Sequence, residues 1–158
     1  MDPAFRREIE QLHDRSFAWA LACCGWRREE ASEVLQTAYL KVLDGRARFD
    51  GRASFKTWLF SVIRNTAADR RRRSWLTTLG LDRLWQLRIE RPTRPDDEQG
   101  TRVRASLRRL AARQREVLEL VFYQDLTIEE AAQVMGVSVG TARVHYERGK
   151  RRLGEWLG

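Results

Sequence analysis

The chain has 158 residues, 33% of them charged and 42% hydrophobic, a composition that suits one compact domain or two small ones and excludes a disordered tail. Thirty Lys and Arg against 22 Asp and Glu leave a formal charge of +8 and a pI near 10.4, which points to an anionic partner, nucleic acid before others. No apolar run approaches the ~20 residues of a membrane span, and the charged opening MDPAFRREIEQ is not a signal peptide, so a cytoplasmic protein with no membrane insertion is expected.

Apolar positions recur at helical spacing from the start: Phe5, Ile9 and Leu12, then Ala31, Val34, Leu35, Ala38, Tyr39 and Val42, then Phe55, Trp58, Leu59, Val62 and Ile63. No strand alternation competes with them. Between the first two helices lie Cys23 and Cys24, neighbours that cannot staple distant parts of the chain and are expected to sit reduced in a helix. Gly25 and the stretch GRARFDGRAS, residues 45 to 54, punctuate the helices. Four arginines, Arg70 to Arg73, close the third helix and suit phosphate contacts, whereas Trp58 lies in the apolar stripe and suits core packing. A bundle ending near Ser74 follows.

WLTTLGLDRLWQLRIE, residues 75 to 90, could form a short helix docking on either neighbour, and PTRPDDEQG, residues 92 to 100, has a linker composition. The expected organisation is an N-terminal domain over 1–74, a flexible linker over 75–104 and a C-terminal domain over 105–158, all-α throughout. Both halves of the chain are basic, with fifteen cations against ten acids in 1–74 and eleven against seven in 101–158, a span that includes the last four residues of the expected linker.

In the second half, Leu107 and Leu110, then Val117, Leu118, Val121 and Phe122, mark two amphipathic pieces. Thr127-Ile-Glu-Glu130 is a capping box that should start a short helix, Gly136 supplies a turn, and Ser138 caps the next helix. That is helix-turn-helix spacing. In the last helix Ala142, Tyr146, Gly149 and Leu153 should face the core, leaving Arg143, Val144, Glu147, Arg148 and Arg151 outward. Arginine can bind guanine through two hydrogen bonds, glutamate can accept from cytosine N4, and valine can touch a thymine methyl. Thr141 and the first-turn amides would suit a phosphate.

Nothing recommends an enzyme. There is no GxSxG, P-loop or HExxH, and two adjacent cysteines with the distant His13 and His145 make no metal site, so neither metal nor cofactor is expected.

A helix-turn-helix by itself leaves the second basic helical unit unexplained. The segment LRRLAARQREVLELVFYQDLTIEEAAQVMGVSVGTARVHYERGKRRL, with EEASEVLQTAYLKV and FDGRASFKTWLFSVIRNTAADRRRR before it, resembles the extracytoplasmic-function sigma factors of bacterial RNA polymerase. The resemblance implies a transcription initiation factor that binds core RNA polymerase and carries no chemical step of its own. Its C-terminal domain would read the minus-35 element of promoter DNA through Thr141, Arg143, Val144, Glu147, Arg148 and Arg151. Its N-terminal domain would melt and read the minus-10 element through Phe49, Asp50, Gly51, Arg52, Ser54, Arg64, Asn65, Arg70 and Arg71. Polymerase binding would fall on Glu33, Leu35, Gln36, Tyr39 and Leu40. The family also implies an anti-sigma protein as partner, which the stretch with Trp75 and Trp85 could help to hold, and a monomer when free of partners. Residues 75–104 would reach roughly 100 Å at about 3.3 Å per residue, enough for two duplex sites about 70 Å apart.

Overall fold

A computed structural model describes residues 2–77 and 98–158. Every regular element among them is helical: α1 (Pro3–Cys23), α2 (Arg28–Leu43), α3 (Phe55–Thr77), α4 (Glu98–Arg109), α5 (Ala112–Leu118), a π-helical turn (Glu119–Tyr123), α6 (Ile128–Met135) and α7 (Val139–Leu157). The chain divides into two compact units, Met1–Thr93 and Arg94–Gly158. The third helix continues to Thr77, beyond the expected end near Ser74, and α4 begins inside the stretch expected as linker. Most of that stretch, including Trp85 and the prolines of PTRPDDEQG, lies outside the described residues. No described helix is long and apolar enough to cross a membrane.

In the first unit α1, α2 and α3 pack on one another. Asp2 starts α1 by accepting from the Ala4 amide at 3.0 Å, with Pro3 in the first turn where its missing N–H costs nothing. Ala20, Ala31, Ala38 and Ala67 are buried and let the helices approach closely around Val34, Leu35, Leu59, Phe60 and Ile63. Trp19 is the largest core side chain. It stacks on Phe60 at 6.0 Å, and its indole N–H donates to the Phe60 carbonyl at 3.0 Å, so its one polar atom is satisfied. Ionic contacts lace α2 to α3: Arg70 pairs with Glu33 and Glu30, and the Lys41 ammonium donates to Thr66 at 3.1 Å and meets Asp69 at 3.6 Å. Cys23 ends α1 and Cys24 follows it; both are free thiols. Burial pushes the Cys24 thiol up to about 12, so it stays protonated at neutral pH and acts as packing.

In the second unit both members of the Thr127/Glu130 capping box form, at 3.1 and 3.0 Å, and start α6. Gly136 ends it with a φ of 68°, a left-handed conformation that favours glycine. The Arg113 guanidinium donates to the Met135 carbonyl at 3.3 Å, and Ser138 caps α7. This is a helix-turn-helix held by caps on both sides of its turn. The crossing of α7 on α5 depends on Gly149, where a Cβ would lie 2.9 Å from Leu118 Cδ1 and 3.4 Å from Gln114 Cβ.

Three expectations about faces are corrected. Ala142 and Gly149 are buried, but Tyr146 and Leu153 are only partly so; Tyr146 stacks on Phe122 at 6.0 Å, with the Lys150 ammonium 4.9 Å from its ring. Phe122, expected inside, is 57% exposed. The cause is the π-helical turn: the Gln124 amide reaches back five residues to the Glu119 carbonyl, and the wider turn rotates the following side chains out of α phase. In exchange Leu120 and Glu119 turn inward, and Glu119 is 2% exposed.

Burial pushes the Glu119 carboxyl up to about 7, while Arg104 and Arg115 pull the other way. A folded-state value above the unfolded one gives stability that is complete at about pH 4.5 and is lost as pH rises to about 7. Glu119→Gln should therefore be more stable than the native chain by about 1–3 kcal/mol at pH 8, with the advantage vanishing toward pH 4.5. Hydrogen exchange of the α5 and α7 amides in the full chain measures it; an advantage independent of pH would contradict the assignment. By the same measurement, Gly149→Val should cost about 1–3 kcal/mol by driving a side chain into Leu118. Gly154→Ala, at an exposed helical position with nothing within 4 Å, should gain about 0.5–1 kcal/mol.

Candidate nucleic-acid interface

α7 presents one broad face of exposed side chains in two adjacent rows, Arg143, Glu147 and Arg151 beside Val144 and Arg148, with Thr141 at its start. Val144 is 46% exposed, an apolar side chain standing among cations. Arg143 is met at 3.6 Å by Glu129 of α6. Arg148 and Arg151 also line a groove with Gln114, Arg152 and Glu155. The first turn of α7 is less open than its sequence implies. The Ser138 hydroxyl accepts from the Thr141 amide at 3.1 Å and donates to the Thr141 hydroxyl at 2.9 Å, so that amide is already used by the cap.

In the first unit the loop before α3 is built by its own short polar side chains. Asp44 accepts from the Arg46 amide at 3.0 Å, and that bond, with the Arg46 guanidinium, holds its carboxyl below the usual range. Asp50 repeats the pattern, accepting from the Arg52 amide at 3.0 Å across Gly51, which has a φ of 77°. Ser54 caps α3 by accepting from the Thr57 amide at 3.1 Å. Phe49 stands over this turn, 39% exposed, at 5.7 Å from Phe55 and 5.3 Å from Trp58. Phe5 completes a four-ring cluster, 4.8 Å from Phe55 and 6.1 Å from Trp58. Trp58 is thus half-buried packing beneath an exposed aromatic. Such a platform beside Arg52 is what an unstacked base needs.

Further along α3, Asn65 and Arg71 are exposed and Arg64 is half-buried. Among the four consecutive arginines, Arg70 pairs with Glu33 and Glu30, and Arg72 with Asp69.

The residues expected to bind polymerase lie on α2, but not on one face. Glu33, Gln36 and Leu40 are exposed, and Tyr39 is half-buried with its hydroxyl 3.0 Å from His13 Nδ1. Burial pushes the Tyr39 hydroxyl above the usual tyrosine value. Leu35 differs from that expectation: at 4% exposure it belongs to the core of the bundle and not to its surface. Leu43, not among the expected residues, is 53% exposed, as is Leu40 one turn before it. The signal was available, since both leucines fall off the stripe Ala31, Val34, Leu35, Ala38 and Val42 that fills the buried face. Glu129 was missed because nothing in the one-dimensional pattern relates the first turn of α6 to α7.

Comparison with known proteins bears directly on these surfaces. The family model for Sigma-70 region 2 matches residues 9–77, and that for Sigma-70, region 4, matches residues 101–153. The chain is 29% identical over 158 residues to the ECF RNA polymerase sigma factor SigM of Mycobacterium tuberculosis (strain H37Rv), covering 99% of this chain and 76% of that protein. It is 28% identical over 135 residues to the ECF RNA polymerase sigma factor SigX of Bacillus subtilis (strain 168), covering 80% and 70%. Among solved structures, the fold is similar to that of the sigma factor RpoE from Bartonella quintana, crystallised with the anti-sigma factor NepR. The TM-score is 0.83 at 23% identity, with 99% of this chain and 98% of that chain covered. The two matched regions, in the order and on the units where the two basic surfaces stand, make the chain a member of the sigma-70 family, an extracytoplasmic-function sigma factor that acts in promoter-specific transcription initiation.

Proposed function

We propose that α7 reads the minus-35 element through Arg143, Val144, Glu147, Arg148 and Arg151, with Thr141 on the backbone, while the α3 region opens and reads the minus-10 element. The observation that carries this reading is the exposed face of α7, charged and apolar together, held outward by a turn capped on both sides. A lone exposed valine is ordinary on a protein surface; what suits a base edge is its place on one face with Arg143, Glu147 and Arg148. The N-terminal domain extends from the expected 1–74 to the end of α3 at Thr77, and the C-terminal domain begins with α4 at Glu98 in place of residue 105.

In the first unit Phe49 stacks on an extruded base, the Asp50–Gly51–Arg52 turn and Ser54 shape its pocket, and Asn65 hydrogen-bonds it, with Arg64, Arg70 and Arg71 on the phosphates. Core RNA polymerase takes Glu33, Gln36, Tyr39 and Leu40, to which Leu43 is added as a second apolar anchor. The chain contributes specificity and no catalytic step, and works in the cytoplasm as a monomer when free. An anti-sigma protein regulates it, as the complex formed by the similar Bartonella protein suggests.

Two outcomes test the reading. Arg143→Ala or Arg148→Ala, assayed as holoenzyme on promoters varied base by base, should lose about 1–3 kcal/mol and relax preference at one upstream position. A uniform loss over all sequences would make these phosphate contacts instead. Phe49→Ala should leave polymerase capture intact and weaken holoenzyme binding to a single-stranded minus-10 oligonucleotide by about 1–3 kcal/mol. Unchanged strand binding would remove Phe49 from the pocket.

A further inference from the structure

We infer that Glu129, on the first helix of the helix-turn-helix, is a positioning residue for Arg143: it sets which promoter base is preferred without touching a base itself. This rests on the proposed role of Arg143 as a base reader.

The two side chains come from different helices, and the structure places Glu129 Oε1 3.6 Å from Arg143 Nη2. Both backbones are fixed. Glu129 is the second residue of α6, whose start is set by the capping box on either side of it, and an acid in the first turn is favoured by the helix dipole. Arg143 is the fifth residue of α7, whose start is set by Ser138. Between them Ala131, Ala132 and Ala142 are buried, and Gly136 makes the turn, so the distance between the two positions is a property of the motif.

Arg143 is 57% exposed on its side chain and Glu129 62%, so the pair adds little to stability. Its consequence lies in geometry. An unpartnered exposed arginine samples many rotamers, and near a duplex the strongest competing sites for its guanidinium are phosphates, which carry no sequence information. A carboxylate beside it does two things. It holds an opposite charge 3.6 Å from one guanidinium nitrogen, an ionic contact and not a hydrogen bond, which restrains the side chain while leaving its N–H fork for a base edge, where arginine binds guanine O6 and N7 together. It also places a negative charge where a captured phosphate would have to come, which disfavours the uninformative contact. Glu129 thereby trades affinity for selectivity.

The experiment uses the full chain as holoenzyme with core RNA polymerase on a promoter library randomised over the upstream element, in four forms: native, Glu129→Gln, Arg143→Ala and both. Glu129→Gln keeps size and hydrogen-bonding capacity while removing the charge. It should tighten binding to the library as a whole, steepen the salt dependence, and reduce preference at the one base read by Arg143 by about two- to fivefold, the range an exposed pair can supply. A merely structural role would instead weaken binding at every sequence. In the Arg143→Ala background the same substitution should leave the base preference unchanged. An unchanged base preference in Glu129→Gln, or a change that persists without Arg143, overturns the inference while leaving the base-reading role of Arg143 standing. If Arg143→Ala itself moves no base preference, the underlying reading fails and the inference with it.

Discussion

The exposed face of α7 that we propose reads DNA depends on a contact on the opposite side of the same helix. Gly149 lies against Leu118 so closely that a single added carbon would fall 2.9 Å from it, and this lets α5 cross α7 at short range. Because the rear of α7 carries the buried Ala142 and Gly149, the latter seated on Leu118 and Gln114, its rotation about its own axis is fixed, and so is the direction of Arg143, Val144, Glu147 and Arg148. The caps at Thr127 and Ser138 and the left-handed Gly136 then fix where the helix begins. A base-reading side chain displaced by an ångström loses its hydrogen bonds. The fold therefore spends its most restrictive packing behind the surface that needs the most exact direction.

The first unit solves a different problem. Its core is made of alanines around Trp19 and Phe60, but its working surfaces are tied down by polar and aromatic contacts at the surface: the Asp50 turn, the four-ring cluster under Phe49, and the Arg70 contacts to Glu33 and Glu30. Such ties are individually weak in water. They order a loop without burying it, which suits a site that must admit a base and release it.

Much of this was legible in the sequence because the relevant signals are local. The capping box, the turn glycine and the second cap are defined by spacings of three or four residues, and the apolar stripes of α1 to α3 follow one helical period. The outward face of α7 followed from the same period. What the sequence hid was non-local or depended on a break in that period. The π-helical turn at Glu119 shifted phase, so Phe122 came out and a carboxyl went in, with no local marker for the extra residue. Leu35 is a different case: the apolar period of α2 itself places it in the buried stripe and leaves Leu40 outside, and only the family resemblance had assigned Leu35 to a surface. The approach of Glu129 to Arg143 joins positions fourteen residues apart across a turn and is visible only in three dimensions.

The account turns on selectivity being supplied by this chain to a polymerase that lacks it. The direct measurement is transcription by core RNA polymerase on a randomised promoter library, with and without the full chain, followed by sequencing of transcript starts. The account predicts starts that depend on the chain and lie downstream of two shared elements, the upstream one about two duplex turns from the other. Starts that are the same with and without the chain, or tight duplex binding by the chain with no polymerase recruited, would contradict it.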